Sequence, residues 1–164
     1  MTVAQKIRVL LVDDHVMVRQ GLRAVLQSYP NIEVVGEAGN GEEAISSVPK
    51  LQPTIVVMDI GMPSLDGIGA TRLIKTQYTE IAVLGLSVNA PSYHVDAMLK
   101  AGAFEVLTKD KAVDELYSAI QRAIAAIQPI LILQEQPSAS AESAPGVESK
   151  EKAADVIPTK EPDI

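Results

Sequence analysis

Short apolar runs alternate along the chain with longer segments whose apolar residues recur every three or four positions. The short runs have the length and β-branched content of strands, and the longer segments have helical spacing, as Val18, Leu22 and Leu26 show in the first. The predicted strands lie near 6–12, 32–38, 54–58, 81–86 and 104–108. Five helices are predicted. The first covers about 15–29, the second opens at Asn40 or Gly41, and the third ends near Tyr78. The fourth covers about 91–100, and the fifth runs from about Ala112 to Ile127.

Five strands joined by helices of this length predict a doubly wound α/β domain with a five-stranded parallel sheet. The last predicted helix should bury one apolar face against that sheet. This face consists of Val113, Leu116, Tyr117, Ile120, Ile124 and Ile127. We therefore expect one domain over residues 1–128.

The character of the chain changes after Gln128. The apolar residues 129–133 could form a short extended segment that lies on the domain. From Gln134 onward the sequence is rich in Ser, Ala, Glu, Lys and Pro without a sustained apolar period. Such a composition buries too little apolar surface to offset its ordering entropy, so we expect residues 129–164 to be a largely disordered acidic tail.

Charged residues stand at the ends of three predicted strands. Asp13 and Asp14 follow the first strand, Asp59 follows the third, and Lys109 follows the fifth. Because the carboxyl ends of parallel strands converge on one edge of a sheet, these four side chains should meet in one cleft. Three carboxylates and one ammonium group in a cleft favour metal-assisted phosphoryl transfer.

The composition narrows the chemistry further. The chain has no cysteine and two histidines, which excludes thiolate chemistry and makes a zinc site a poor candidate. With a net charge of −7, the chain lacks the basic surface that nucleic-acid binding requires. With neither a signal-peptide pattern nor a membrane-length apolar run, the sequence favours a cytoplasmic protein without membrane contact.

Several fragments make residues 1–127 resemble a response-regulator receiver domain of two-component signalling, of the NarL/FixJ subfamily. These fragments are Val12-Asp13-Asp14-His15, Val18-Arg19-Gln20-Gly21-Leu22-Arg23, Val35-Gly36-Glu37-Ala38, Met58-Asp59-Ile60-Gly61-Met62-Pro63, Lys100-Ala101-Gly102-Ala103 and Leu107-Thr108-Lys109-Asp110. The resemblance implies a flavodoxin-like sheet with strand order 2-1-3-4-5.

The resemblance also implies a role for each residue of the acidic cleft. Asp59 would be the phosphoacceptor. Asp13 and Asp14 would bind Mg²⁺ together with Asp59 and the backbone carbonyl of Gly61. Mg²⁺ suits such a site because it uses few carboxylates and keeps several waters.

Two further residues would assist the transfer. Lys109 would offset the negative charge of the transferring phosphoryl group. Ser87, at the end of the fourth strand, would donate a hydrogen bond to that group.

The chain departs from the family pattern in two places. Val106 occupies the switch position, where the family usually has Tyr or Phe, so we expect the phosphorylation chemistry to be intact and its readout altered. Residues 129–164 are too short, too acidic and too rich in proline for the helix-turn-helix output domain of the subfamily. We therefore expect no direct DNA binding.

These observations predict a phosphorylation-dependent switch that takes its phosphoryl group from a histidine kinase or phosphotransfer protein and acts on a downstream protein. It would not be a conventional turnover enzyme. A homodimer could form through the first and fifth helices, or through the fourth helix, fifth strand and fifth helix. Two alternatives stay open: a phosphate sink without an output of its own, and an interaction scaffold that works without phosphorylation.

Overall fold

The computed structural model describes residues 4–135, with side chains to residue 129, as one sheet between two layers of helices. The strands are β1 (Ile7–Val12), β2 (Ile32–Ala38), β3 (Ile55–Asp59), β4 (Ala82–Ser87) and β5 (Glu105–Thr108). The helices are α1 (Val16–Gln27), α2 (Gly41–Leu51), α3 (Gly67–Gln77), α4 (Ser92–Lys100) and α5 (Lys109–Glu135).

All strand pairs are parallel, and the sheet order is β2-β1-β3-β4-β5. The predicted doubly wound α/β fold and its strand order are therefore confirmed. The register pairs Val12 with Met58, and Asp59 with Leu86. The carboxyl ends of β1, β3 and β4 are thus level with one another, which brings the residues that follow them to one edge.

Two hydrophobic cores lie on opposite faces of the sheet. On one face, Leu26 of α1 and Leu116 of α5 belong to the same buried cluster as Leu11 and Leu84. On the other face, α2, α3 and α4 contribute Val48, Ile74 and Met98 to a second buried cluster. The central strands are buried on both faces, as the unbroken apolar runs predicted.

Polar caps define where α2 and α3 begin. The Asn40 side chain accepts a hydrogen bond from the Glu43 amide at 2.8 Å, and the Asp66 side chain accepts one from the Gly69 amide at 2.7 Å. Such caps satisfy amides that have no partner inside the helix. The second helix was predicted to open at Asn40 or Gly41. Asn40 is its cap, and Gly41 is its first helical residue.

The fifth helix differs from its prediction in three ways. It begins at Lys109 and not near Ala112, and it continues through Pro129 to Glu135, so the extended segment over 129–133 is wrong. Val113 is 55% exposed, and Ala112 takes its place in the core. The predicted boundary at residue 128 falls within this helix, and residues 136–164 of the predicted tail lie outside the described residues. Within the part of the chain that the structure describes, no helix is both long and apolar enough to cross a bilayer.

Candidate functional site

Asp13, Asp59 and Lys109 meet at the carboxyl edge of the sheet. Lys109 Nζ lies 2.6 Å from Asp13 Oδ2 and 3.1 Å from Asp59 Oδ2, so one ammonium group bridges the residues that follow β1 and end β3. Asp13 is 1% exposed and Asp59 is 3% exposed. The strand register brings these charges together, since each stands where a buried strand ends.

Asp14 and His15 widen this cluster toward solvent. One ligand atom from each of Asp13, Asp14, His15 and Asp59 lies within 4.8 Å of the others. His15 Nδ1 is 3.0 Å from Asp14 Oδ1, and the His15 amide donates to Asp13 Oδ1 at 2.8 Å. The Asp14 side chain is 29% exposed, so the pocket opens beside it.

Burial and charge change the acidity of both bridged residues. Burial raises the pKa of Asp59, the nearby Asp13 carboxylate raises it further, and Lys109 offsets only part of the increase. Burial by itself would lower the pKa of Lys109, but its hydrogen bonds and charge interactions with Asp13 and Asp59 outweigh burial and raise it. The lysine therefore stays charged between two carboxylates.

The loop after β3 contains two glycines that differ in their surroundings. The Gly61 amide donates to Asp59 Oδ1 at 3.1 Å, and a Cβ at Gly61 would meet no atom within 4 Å. A Cβ at Gly67 would lie 2.0 Å from the backbone oxygen of Asp59. Only glycine at position 67 allows α3 to start so close to the end of β3.

Ser87 ends β4, beside the strand that carries Asp59, and is 5% exposed. Its Oγ accepts a hydrogen bond from the Ala90 amide at 3.0 Å. The hydroxyl proton is not used in that bond and remains available to a ligand.

Val106 of β5 is partly buried and packs against the second hydrophobic cluster. It pairs with Gly85 across the β4–β5 ladder, and a Cβ at Gly85 would lie 3.1 Å from Val106 Cγ2 and 3.1 Å from Met98 Cγ. Valine and methionine thus fill the space beside the glycine. This is the switch position, where the resemblance implies an aromatic ring.

The donor set of the pocket fits a hard divalent cation. When ionised, Asp13, Asp14 and Asp59 carry three negative charges, and Lys109 supplies one positive charge against them. Two carboxylates about 4 Å apart repel by roughly 4 kcal/mol at an effective dielectric of 20. Oxygen ligands with excess negative charge are those that Mg²⁺ prefers. The acidic cluster therefore fits a magnesium site.

Sequence reasoning assigned no role to His15, which contacts Asp13 and Asp14, and it missed one further residue that contacts this site. Arg19 of α1 donates from Nη1 to the backbone oxygen of Asp13. Arg19 and Arg23 lie one helical turn apart, and both bind Glu37, a polar residue in the otherwise apolar end of β2. The one-turn spacing of these two arginines, together with a carboxylate on a strand, is the sequence signal that could have identified Arg19.

Comparison with known proteins agrees with this geometry. The family model described as "Response regulator receiver domain" matches residues 9–121. The transcriptional regulatory protein LiaR of Bacillus subtilis is 39% identical over 117 residues, which are 71% of this chain and 56% of LiaR. The transcriptional regulatory protein DegU of Brevibacillus brevis is 36% identical over 71% of this chain and 49% of DegU.

Solved structures give the same result. The receiver domain of the putative response regulator NarL from Mycobacterium tuberculosis superposes with a TM-score of 0.70 at 28% identity, covering 74% of this chain and 98% of that one. The chain spans about half the length of the curated relatives it matches. With the matched segment, the strand order and the acidic edge in agreement, the chain belongs to the receiver domains of two-component response regulators.

Proposed function

We propose that this receiver is a phosphorylation-dependent switch of a two-component phosphorelay, with Asp59 as the phosphoacceptor and a histidine kinase or phosphotransfer protein as the donor. The observation that carries the proposal is the bridge from Lys109 Nζ to Asp13 and Asp59. It places a fixed positive charge beside a buried carboxylate at the open edge of a sheet.

In the proposed transfer, a carboxylate oxygen of Asp59 attacks the phosphorus of a phosphohistidine. The new O–P bond forms as the P–N bond breaks, and the histidine nitrogen keeps the electron pair of the broken bond. Attack requires the ionised form of Asp59, whose pKa burial raises. The Lys109 charge favours that ionised form and offsets charge on the transferring oxygens.

Ser87 would hold the product. Its Oγ already accepts from the Ala90 amide at 3.0 Å, so its proton can be donated to a phosphoryl oxygen. This contact would tie the modified Asp59 to the loop that follows β4. Phosphorylation would then reach α4 through the backbone of that loop.

Mg²⁺ is the proposed cofactor of the site. Asp13, Asp14, Asp59 and the backbone carbonyl of Gly61 are the protein groups that would hold it. When bound, the ion supplies neutralisation of the charge that accumulates on phosphoryl and carboxylate oxygens.

The phosphate sink is a second candidate, and the packing of Val106 favours it. Val106 has no ring to move between buried and exposed positions, and it packs against the buried cluster that contains Met98. A sink needs the acceptor chemistry without a moving readout. Dimerisation through α1 and α5, or through α4, β5 and α5, would instead favour the switch.

Direct DNA binding is a separate matter, because several relatives are named as transcriptional regulatory proteins. Our prediction that this chain does not bind DNA rests on its acidic composition.

The test is incubation of the full chain with Mg²⁺ and acetyl phosphate, followed by intact-mass measurement. We expect wild type to gain the mass of one phosphoryl group and Asp59→Asn to gain none. Asp66→Asn is the matched control, because Asp66 caps α3 outside the pocket and asparagine is an equally good cap. Loss of the gain in both variants, or its persistence in Asp59→Asn, would contradict the assignment.

Sedimentation of the same samples separates the two candidates. Assembly or partner binding that changes with phosphorylation supports the switch. The sink is supported by a full mass gain with unchanged assembly. It also requires that the protein removes phosphoryl groups from a shared kinase.

A further inference from the structure

We infer that Arg19 is a positioning residue for the acidic pocket, which fixes the peptide that joins Asp13 to Asp14. This inference rests on the proposed function, because it concerns the two carboxylates that would hold the divalent cation. Arg19 would act through the backbone and not as a ligand.

The Asp13–Asp14 peptide is held by its carbonyl. Arg19 Nη1 donates to the backbone oxygen of Asp13, while the Asp13 amide donates to the Ala38 carbonyl at 3.1 Å. Because a peptide unit is planar, fixing its carbonyl also fixes the two Cα atoms that flank it. One guanidinium contact therefore sets the direction from which both acidic side chains leave the backbone.

Arg19 is itself held in place. Its Nε donates to Glu37 Oε2 at 3.1 Å, and its side chain is 14% exposed. The other oxygen of Glu37 accepts from Arg23 Nε at 2.6 Å. The Arg23 hydrogen bond is the largest of the influences that together lower the pKa of Glu37. The charged carboxylate of β2 thus orients the planar guanidinium before any ion arrives.

This arrangement matters because Mg²⁺ demands near-ideal octahedral geometry. A free loop after β1 would have to be ordered by the ion, and the cost of ordering would weaken binding. Within residues 4–135, the hydrogen bonds and ion pair of the Arg19 side chain reach the Asp13 backbone and Glu37 but neither carboxylate of the Asp pair. Its effect on the ion should therefore come from preorganisation of the loop.

The test compares Arg19→Ala with Arg23→Ala by titrating Mg²⁺ into the full chain with calorimetric detection. Each variant loses one ion pair to Glu37, but only Arg19 touches the Asp13 carbonyl. We expect Mg²⁺ affinity to fall about 10-fold in Arg19→Ala, as for residues that support metal ligands from behind. We expect Arg23→Ala to change it less than about 3-fold, as for a partly exposed ion pair.

A second readout separates positioning from general stability. In acetyl phosphate reactions, Arg19→Ala should need more Mg²⁺ for the half-maximal rate, and saturating Mg²⁺ should restore the rate. Arg19→Lys serves if the alanine variant does not fold, since lysine can donate to the carbonyl but lacks the rigid planar fork that holds the carbonyl and Glu37 together. It should show an intermediate affinity.

Equal affinity losses in the Arg19 and Arg23 variants would overturn this inference, as would an unchanged affinity in both Arg19 variants. Either result leaves the proposed function standing if wild type still binds Mg²⁺ and is phosphorylated. A wild-type protein that accepts no phosphoryl group contradicts the proposed function itself, whatever the variants do.

Discussion

The two halves of the sheet edge are built by different means. On the β1–β3 side, Asp13 is held through its amide, its carbonyl and both carboxylate oxygens, by Ala38, Arg19, His15 and Lys109. On the β4–β5 side, Val106 is held by apolar packing against Gly85 and Met98. Directional contacts place charged atoms, whereas packing needs only the correct volume. The first half should therefore tolerate much less change than the second.

Gly67→Ala should have the largest effect on stability. Its Cβ would lie 2.0 Å from the Asp59 backbone oxygen, so β3 and α3 would have to separate. We expect a loss of at least about 3 kcal/mol in the free energy of unfolding, at the upper end for overpacking. Urea unfolding followed by circular dichroism measures it.

Gly61→Ala is the control for that measurement, because a Cβ at Gly61 meets no atom within 4 Å. It should stay within about 0.5 kcal/mol of wild type, as surface changes generally do. Similar losses of stability in both variants would mean that the close approach at Gly67 does not cause the destabilisation.

The pH dependence of stability tests the β1–β3 side of the sheet edge. Since the pKa of Asp59 is raised in the folded protein, its stabilising contribution is present at acidic pH and is lost as pH rises through that raised pKa. Asp59→Asn removes this loss, so at neutral pH without Mg²⁺ the variant should melt at a higher temperature than wild type.

Melting curves across a pH series, with and without Mg²⁺, check this expectation. Mg²⁺ should stabilise wild type more than the variant, because only wild type offers the third carboxylate. A variant that loses stability with rising pH as steeply as wild type would contradict the role of Asp59 in this dependence.

Val106→Ala should have a smaller effect than Gly67→Ala and tests the apolar half. We expect a loss of about 1 kcal/mol, since one half-buried side chain is shortened, with an unchanged extent of phosphorylation. Val113→Ala, at a position 55% exposed, is the comparison and should lose less. If Val106→Ala abolished phosphorylation, the two halves would not be separable in this way.

Much of the fold and the pocket could be predicted from sequence, because the same pattern specifies both. The apolar runs that form β1 and β3 end next to the acidic residues they position, so Asp13 and Asp59 follow directly from strand ends. Lys109 follows from the third such end. Parallel pairing then brings these residues together without any further information.

Features that depend on tertiary contacts could not be predicted from the sequence pattern. Lys109 and Asp110 are charged and give no periodicity, so the first turn of α5 was not recognised. Proline suggested a break at residue 129, but the helix continues through it. The spacing of Arg19 and Arg23 points to Glu37, but a pattern of side chains does not reveal the contact of Arg19 with a backbone carbonyl.

The start of α5 at Lys109 has a mechanical consequence. The lysine that touches both carboxylates is also the first residue of a helix that reaches about 30 Å by Gln128, at 1.5 Å per residue. A rigid-body rotation of this helix about Lys109 would have its fulcrum beside Asp59. A tilt of ~5° at that fulcrum would displace the far end of such a rod by about 3 Å.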